Sequence, residues 1–444
     1  MIIIIKENKD MDKGYIVYWM QESQRANDNY ALEYSIGLAN EYKVTIYVFF
    51  NYIKNYPQAQ KRHFDFMLQG LLDVKKNLLK RGIELIILDG NLEKNIKKVC
   101  KGARYLVWDK GYLKLQKSQR ENLSKIIDCN IVEIEDNLLI PIEEVSKKEE
   151  YSARTLRLKY SKLLNEINSE FFYKKYNHEF QALKGIKNKA DEILPKKKIL
   201  LDGNFIGGEE EAIKRLDYFI KENLKNYDKS SPENEYSSKL SPYLHFGQIS
   251  PRNIYNKIKK IKNYEEQKNI FLEELLIRRE LAFNFVYYND NYDNWLGITY
   301  NWAYDTLEKH LNDEREFLYS LDELENFKTH DIYWNAAQKE MVYTGFMNNY
   351  MRMYWGKKII EWSKSPREAY ENMLYLNNKY FYDGRDPNSY TGVAWCFGKH
   401  DRAWKERSIF GKIRYMNSNG LNRKFNMDLY ISRINNILKL REEK

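Results

Sequence analysis

The stretch NNYMRMYWGKKIIEW sets Trp355 and Trp362 seven residues apart, with Arg352, Lys357 and Lys358 around them. An indole is both a bulky apolar filler and an oxidisable group, so this spacing suits a packed core or a redox pair. Pattern alone favours the core. Four further stretches are too polar or too glycine-rich for packing to be their whole explanation. In SSKLSPYLHFGQISPR (237–252), hydroxyls and backbone N–H groups ahead of a helix could hold a phosphate, or simply cap and turn the chain. In FLEELLIRRE, the charges Glu273, Glu274, Arg278, Arg279 and Glu280, with Glu274 and Arg278 at i,i+4, also read as solvated helix surface. In YLNNKYFYDGRDPNSYTGVAW (375–395), Asn377, Asn378, Asp383, Asp386 and Asn388 could meet the hydroxyls or ring edges of a cofactor, or serve as turn residues. The basic run from Lys399 to Lys424, interleaved with Trp404, Phe410 and Tyr415, suits a nucleic-acid backbone or a solvated face equally.

These residues need a scaffold, and the chain alternates in a way that supplies one. YIVYW (15–19), KVTIYVFF (43–50), IELIIL (83–88), RYLVW (104–108) and NIVEIE (130–135) read as buried strands, being short, apolar and rich in β-branched residues. Amphipathic stretches such as NYALEYSIGLANEY and FDFMLQGLLDVKKNLLKRG lie between them, so a doubly wound parallel sheet is predicted over residues 1–148. The opening MIIII begins a strand or a frayed terminus. Beyond residue 150 the strand signal ends. LPKKKILLDGNFIGGEEEAIKRL reads as an exposed connector within 149–211, and 212–444 carries helical periodicity, with Asp331 and Ser365-Pro366 as helix starts.

Composition bounds the function classes. At 444 residues and 43% hydrophobic content the chain can build more than one core. The net charge of +10 suits a polyanionic partner. Cys100, Cys129 and Cys396 lie far apart, and the six histidines are scattered, so neither a disulfide framework nor a metal site is predicted. No apolar run is long enough to span a bilayer, and a G-x-G-x-x-G after the first strand and a Walker loop are both missing. A soluble protein of a reducing compartment is expected, cytoplasmic, and nucleoid-associated if the source is prokaryotic.

Eight stretches in order along nearly the whole chain resemble the class II cyclobutane pyrimidine dimer photolyases of the photolyase/cryptochrome group. They are YWMQESQRANDNYAL, SARTLR, SPYLHFGQISP, RREL-x-x-NF, THD-x-x-WNAAQ, MRMYW, DGRDPN-x-Y-x-G-x-AW and HDRAW-x-ER-x-x-FGKIRYM. WNAAQ, MRMYW and DGRDPN are the stretches that set this class apart. The resemblance implies an N-terminal α/β (Rossmann-like) domain and a C-terminal all-helical domain holding FAD in a U shape. It implies light-driven splitting of pyrimidine dimers by electron transfer from fully reduced, photoexcited FAD. An antenna pigment such as 8-hydroxy-5-deazaflavin is implied without a contact residue. The partner implied is UV-damaged DNA with the dimer flipped out of the duplex. No membrane and no obligate protein partner is expected.

Site residues carried over from the resemblance are as follows. Trp355 lies nearest the flavin, Trp334 is the middle and Trp362 the outer member of a tryptophan relay reaching the surface. A helix spaces residues seven apart by roughly 10 Å along its axis, close enough for hopping through an intervening ring. Ser237, Ser238, Leu240 and Ser241 cradle the FAD phosphates, and Arg352 and Asp383 pair beside the ring. Asn377 faces flavin N5, while Arg278, Asp386 and Asn388 complete the cofactor set. Glu274 meets the polar edge of the dimer and Trp395 stacks on it. Arg402, Arg414, Lys229 and Met353 complete the DNA contacts. The chain departs from the pattern at KSSPEN, where relatives carry an Arg-Asn pair. Lys229 there supplies charge without a bidentate fork. Some relatives place an aromatic at Arg278, so the second wall of the dimer pocket is left unassigned. The runner-up is a cryptochrome-like photoreceptor without repair. A cofactor-free basic nucleic-acid-binding protein comes third.

Overall fold

The computed structural model describes residues 1–8, 14–164 and 171–442. Six strands, β1 (Ile2–Lys6), β2 (Tyr15–Trp19), β3 (Ile46–Tyr52), β4 (Glu84–Asp89), β5 (Ala103–Asp109) and β6 (Asn130–Ile134), form one sheet in the order β1-β6-β5-β2-β3-β4. From β2 to β6 the pairing is parallel, and helices Tyr30–Tyr42, Lys61–Lys80, Leu92–Cys100 and Lys114–Ile126 make the crossovers. Period-two alternation sends Ile16 and Tyr18 into one helical layer and Val17 and Trp19 into the other. The doubly wound sheet therefore forms, with one addition. MIIII pairs antiparallel with β6 at the sheet edge, leaving Ile2 and Ile4 more than half exposed.

β3 begins later than the apolar run suggests, because Lys43 closes the preceding helix in the left-handed region (φ +54) and the N–H of Val44 returns to Ala39. The 149–211 segment is not the exposed tether its composition predicts. Helix Ala153–Leu164 buries Leu156 and Tyr160, Tyr176, Ala190 and Leu194 pack on the sheet layer, and Phe205 is fully buried. Ile199 and Leu200 in the lysine-rich turn are about half exposed, as are Tyr151, Tyr173 and Phe180, while Leu158 and Phe172 are exposed further. It is a strap over both halves.

The remainder is helical. Asp331, Ser365, Asp386 and Ser250 each cap a helix start through the side chain, and proline follows the last three. Among the described residues no helix is long and apolar enough to cross a membrane. The two halves are joined through buried charge. Arg25 pairs with Asp136 at 2.6 Å and donates to the Gly247 carbonyl, and Glu280 accepts from the N–H of Leu139 at 2.9 Å. Arg279 donates to the Asn137 carbonyl at 3.0 Å. Arg279 and Glu280 are therefore interdomain clamps and not solvated surface, and burial pushes the Glu280 carboxyl up to about 8.

Candidate active site

Helices Ile332–Thr344 and Asn349–Trp362 are neighbours joined through a turn at Gly345 (φ +67), where a β-carbon would strike the Tyr382 ring. Three tryptophans fill the space between them, each no more than 2% exposed. Trp334 donates its indole N–H to the Trp355 carbonyl at 3.0 Å, and its ring lies 5.7 Å from that of Trp362 at 70°. Trp355 donates to Gln338 Oε1 at 2.7 Å. Trp334 thus touches the backbone of Trp355 and the ring of Trp362. Trp362 itself does not reach solvent. Tyr319 and His330 cover it with ring centroids at 5.4 and 5.3 Å, so the chain stops one aromatic layer below the surface.

Beside this chain lies an acid- and amide-rich loop. Arg352 forms a forked pair with Asp383, with contacts of 3.1 Å, and stacks 3.8 Å above Phe381. Asn377 donates to Asn378 Oδ1, which also accepts from the backbone N–H of Arg385 at 2.9 Å, so both amides are locked in one orientation. Asp386 caps helix Pro387–Cys396 and meets His245 Nδ1 at 3.2 Å, tying this loop to the SPYLH segment. Asn388 is exposed, and its amide and N–H both engage Asp386 Oδ1. Leu240 is buried at the start of helix Ser241–His245, with Ser238 and Ser241 partly exposed beside it. Ser237 Oγ is buried with no hydrogen-bond partner among the described residues. Lys239 and Arg352 flank the same ring, Phe346, at 5.5 and 5.8 Å, which brings the hydroxyl loop and the Asp383 pair to one place. An orphaned hydroxyl and a nearby cation on one side, and locked amides with an arginine–carboxylate pair on the other, fit a dinucleotide with a polar ring edge.

A second surface adjoins it. Glu273–Arg278 winds as a π-helix, the irregularity that most often marks functional positions, and it displaces Glu274 and Arg278 from ordinary helical register. Arg278 lies 5.3 Å over the Trp395 ring. Glu274 is exposed by surface area, yet desolvation by surrounding atoms raises its carboxyl pKa while Arg278 pulls the other way. Further out, Trp404 is flanked by Arg402 at 5.2 Å and Arg414 at 4.5 Å, with Arg414 braced on Asp401 at 3.1 Å. Met353 is partly exposed one residue after Arg352, and Lys229 is exposed at the end of a short 3-10 helix.

A cavity opens where the strand order reverses between β2 and β5, outside the carboxyl ends of the strands. Trp19, Glu22, Phe50, His63 and Tyr112 line it from the α/β half, and His245, Arg385, Asp386 and Pro387 close it from the helical half. Gln21 Oε1 and Gln24 Oε1 are buried there without partners among the described residues, and burial lifts Glu22 to about 8.

Comparison with known proteins places this arrangement. The family model for DNA photolyase matches residues 16–182. The deoxyribodipyrimidine photo-lyase of Methanothermobacter thermautotrophicus is 42% identical over 436 residues, covering 97% of this chain and 97% of the relative. The chain belongs to the DNA photolyase family. The Arabidopsis thaliana deoxyribodipyrimidine photo-lyase is 39% identical across 98% of this chain and 92% of its own length. The photolyase fold is shared with the crystal structure of a bacterial class III photolyase from Agrobacterium tumefaciens, at TM-score 0.75 and 17% identity, covering 95% of this chain and 86% of that one. It is shared likewise with an archaeal photolyase from Sulfolobus tokodaii solved with two FAD molecules, at TM-score 0.71 and 20% identity, covering 94% and 89%.

Within this photolyase framework, sequence reasoning passed over several residues that shape the site. Gln338, inside WNAAQ, fixes the Trp355 indole, and Phe346 sits between the two cation sites. Trp404 was visible only as one aromatic in a basic run. The pairing of Arg278 with Trp395 instead of with the cofactor loop depends on the π-turn, for which the sequence carries no local signal.

Proposed function

We propose that this chain is a light-dependent deoxyribodipyrimidine photo-lyase of class II, using FAD to split cyclobutane dimers in UV-damaged DNA. The observation that carries the activity is the 42% identity to a deoxyribodipyrimidine photo-lyase over 97% of both chains. The WNAAQ, MRMYW and DGRDPN stretches support the class, and the domain limits 1–148, 149–211 and 212–444 follow the same reading. Reduced FAD, when bound and excited by light, supplies the electron that opens the cyclobutane ring and recovers it afterwards.

The protein's own residues hold and supply. Ser237, Ser238, Leu240 and Ser241 hold the phosphates through hydroxyls and N–H groups. Arg352 and Asp383 fix the ring edge, and Asn377, locked by Asn378, presents an amide at N5. Asp386 and Asn388 shape the loop around it, with Arg278 reaching over from the lesion side. Trp355, Trp334 and Trp362 pass electrons inward to an oxidised cofactor. Trp395 and Arg278 form a wall against the flipped dimer, with Met353 beside it. Glu274, its carboxyl pKa raised by desolvation, meets the polar edge of the dimer. Arg402, Arg414 and Lys229 steady the opened duplex. The switch-point cavity is a fitting seat for an antenna pigment such as 8-hydroxy-5-deazaflavin, whose N–H and hydroxyl donors would satisfy Gln21 and Gln24.

The test is incubation of the purified, reduced protein with dimer-containing DNA under blue light and in darkness. Restoration of intact pyrimidines only in the light is the outcome expected. A yellow protein that repairs nothing in either condition would make it a photoreceptor instead.

A further inference from the structure

The terminal helix, Met427–Glu442, packs against Ile332–Thr344 and reaches past it to the hydroxyl loop. Glu340, on the helix that carries Trp334 and Gln338, is only 2% exposed. Its carboxylate accepts from the Tyr430 hydroxyl at 2.8 Å and from Arg433 Nη2 at 2.6 Å, both on the terminal helix. Arg433 Nη1 extends to Glu235 Oε2 at 3.4 Å, and Lys239 Nζ meets that same oxygen at 2.7 Å. The N–H of Asn426 donates to Glu233 at 3.2 Å. Glu233 and Glu235 lie just ahead of the Ser237–Ser238 hydroxyls, so Arg433 on the terminal helix and Asn426 just before it grip one end of that loop.

The charges have a specific logic. Glu235 is shared by two cations, and whatever share Arg433 takes weakens its hold on Lys239. Lys239 follows the orphaned Ser237 hydroxyl by two residues in the loop proposed to hold the phosphates. Without Arg433 the carboxylate would claim Lys239 for itself, and Glu340 would be left with a neutral phenol in a dry site.

We propose that Arg433 is a positioning residue for the cofactor: by bridging Glu340 to Glu235 it seats the hydroxyl loop and competes with Lys239 for that carboxylate, so that Lys239 turns more readily to the diphosphate. The terminal helix thereby sets how long FAD stays bound. This rests on the FAD reading above.

The experiment measures FAD release from the holoprotein after dilution, by the rise in free-flavin fluorescence. Arg433→Gln should release FAD about tenfold faster than wild type, the scale of a lost charged hydrogen bond. Adding Glu235→Gln, which frees Lys239 again, should recover most of that loss, whereas simple loosening of the helix would be deepened by it. Should Arg433→Gln fail to fold, Arg433→Gln with Glu340→Gln removes the stranded buried charge and reads the same release rate. Release within twofold of wild type in Arg433→Gln or in Arg433→Gln with Glu340→Gln, or no recovery when Glu235→Gln is added to Arg433→Gln, overturns the clamp. A wild-type protein that holds no FAD overturns the clamp and the functional reading together. A wild type that holds it beside variants that release it no faster overturns the clamp alone.

Discussion

Four substitutions test the proposed electron supply, cofactor retention, lesion stacking and duplex contact one at a time. Replacing Trp355 by Phe keeps most of the volume and removes the oxidisable indole. Blue light should then fail to reduce oxidised FAD, while chemically reduced protein still repairs. An unchanged photoreduction rate would move the inner relay position elsewhere. Arg352→Ala strands Asp383 in a partly buried site, 14% exposed at its side chain. A loss of roughly 1.5–3 kcal/mol is expected, read as a lowered FAD complement and a lower melting temperature. Full flavin content would refute the pairing's role. Trp395→Ala should weaken binding to dimer-containing DNA by about 1–3 kcal/mol and leave undamaged DNA and the salt slope nearly unchanged. Arg414→Ala should flatten the log–log salt slope by about one unit, because its contact is a charge on a backbone. Equal losses on both DNAs for Trp395→Ala would remove that ring from the lesion pocket.

At the scale of elements, the caps and strands were legible and the irregular turns were not. Asp331 heralds its helix from sequence, and the structure gives it more work than a cap. Its Oδ1 accepts from the N–H groups of Tyr333 and Trp334 at 3.0 Å, and its Oδ2 accepts the Tyr354 hydroxyl. Asp331→Ala should therefore cost about 1–3 kcal/mol in urea unfolding, beyond an exposed cap, and slow photoreduction by loosening Trp334. Normal photoreduction with lowered stability would limit Asp331 to a structural part. The five parallel strands showed in alternation and β-branching because each buries both faces. The π-turn at Glu273–Arg278 did not show, since its residues have ordinary helical propensities and only the surrounding packing inserts the extra residue. Tyr319 and His330 over Trp362 were equally invisible, coming from loops outside the two relay helices.

For the whole molecule, the sequence failed where partners are remote. Arg279 and Glu280 look like surface ion-pair formers, yet their partners Asn137 and Leu139 lie in the other half of the chain. The consequence is a pH signature. Burial raises the Glu280 carboxyl from 4.5 to about 8, so between those values the folded protein holds a proton that the unfolded chain releases. Its contribution to stability is fully present below pH 4.5 and is lost as pH rises through 8. Melting temperature should decline as pH rises from about 4.5 to about 8, and Glu280→Gln should flatten that decline. An equally steep decline in the variant would place the titration elsewhere. The cavity at the switch point carries a further consequence. Arg385, in the left-handed region at φ +62, and its neighbours Asp386 and Pro387 line that cavity, while Asp383 and Asn378 fix the same turn on its other side. Two chromophores seated on opposite sides of one turn cannot change their separation or mutual tilt independently. Dipolar exchange of excitation depends on both quantities, so with the proposed antenna pigment and flavin both bound, the efficiency of energy transfer between them would be a mechanical property of a few residues of backbone.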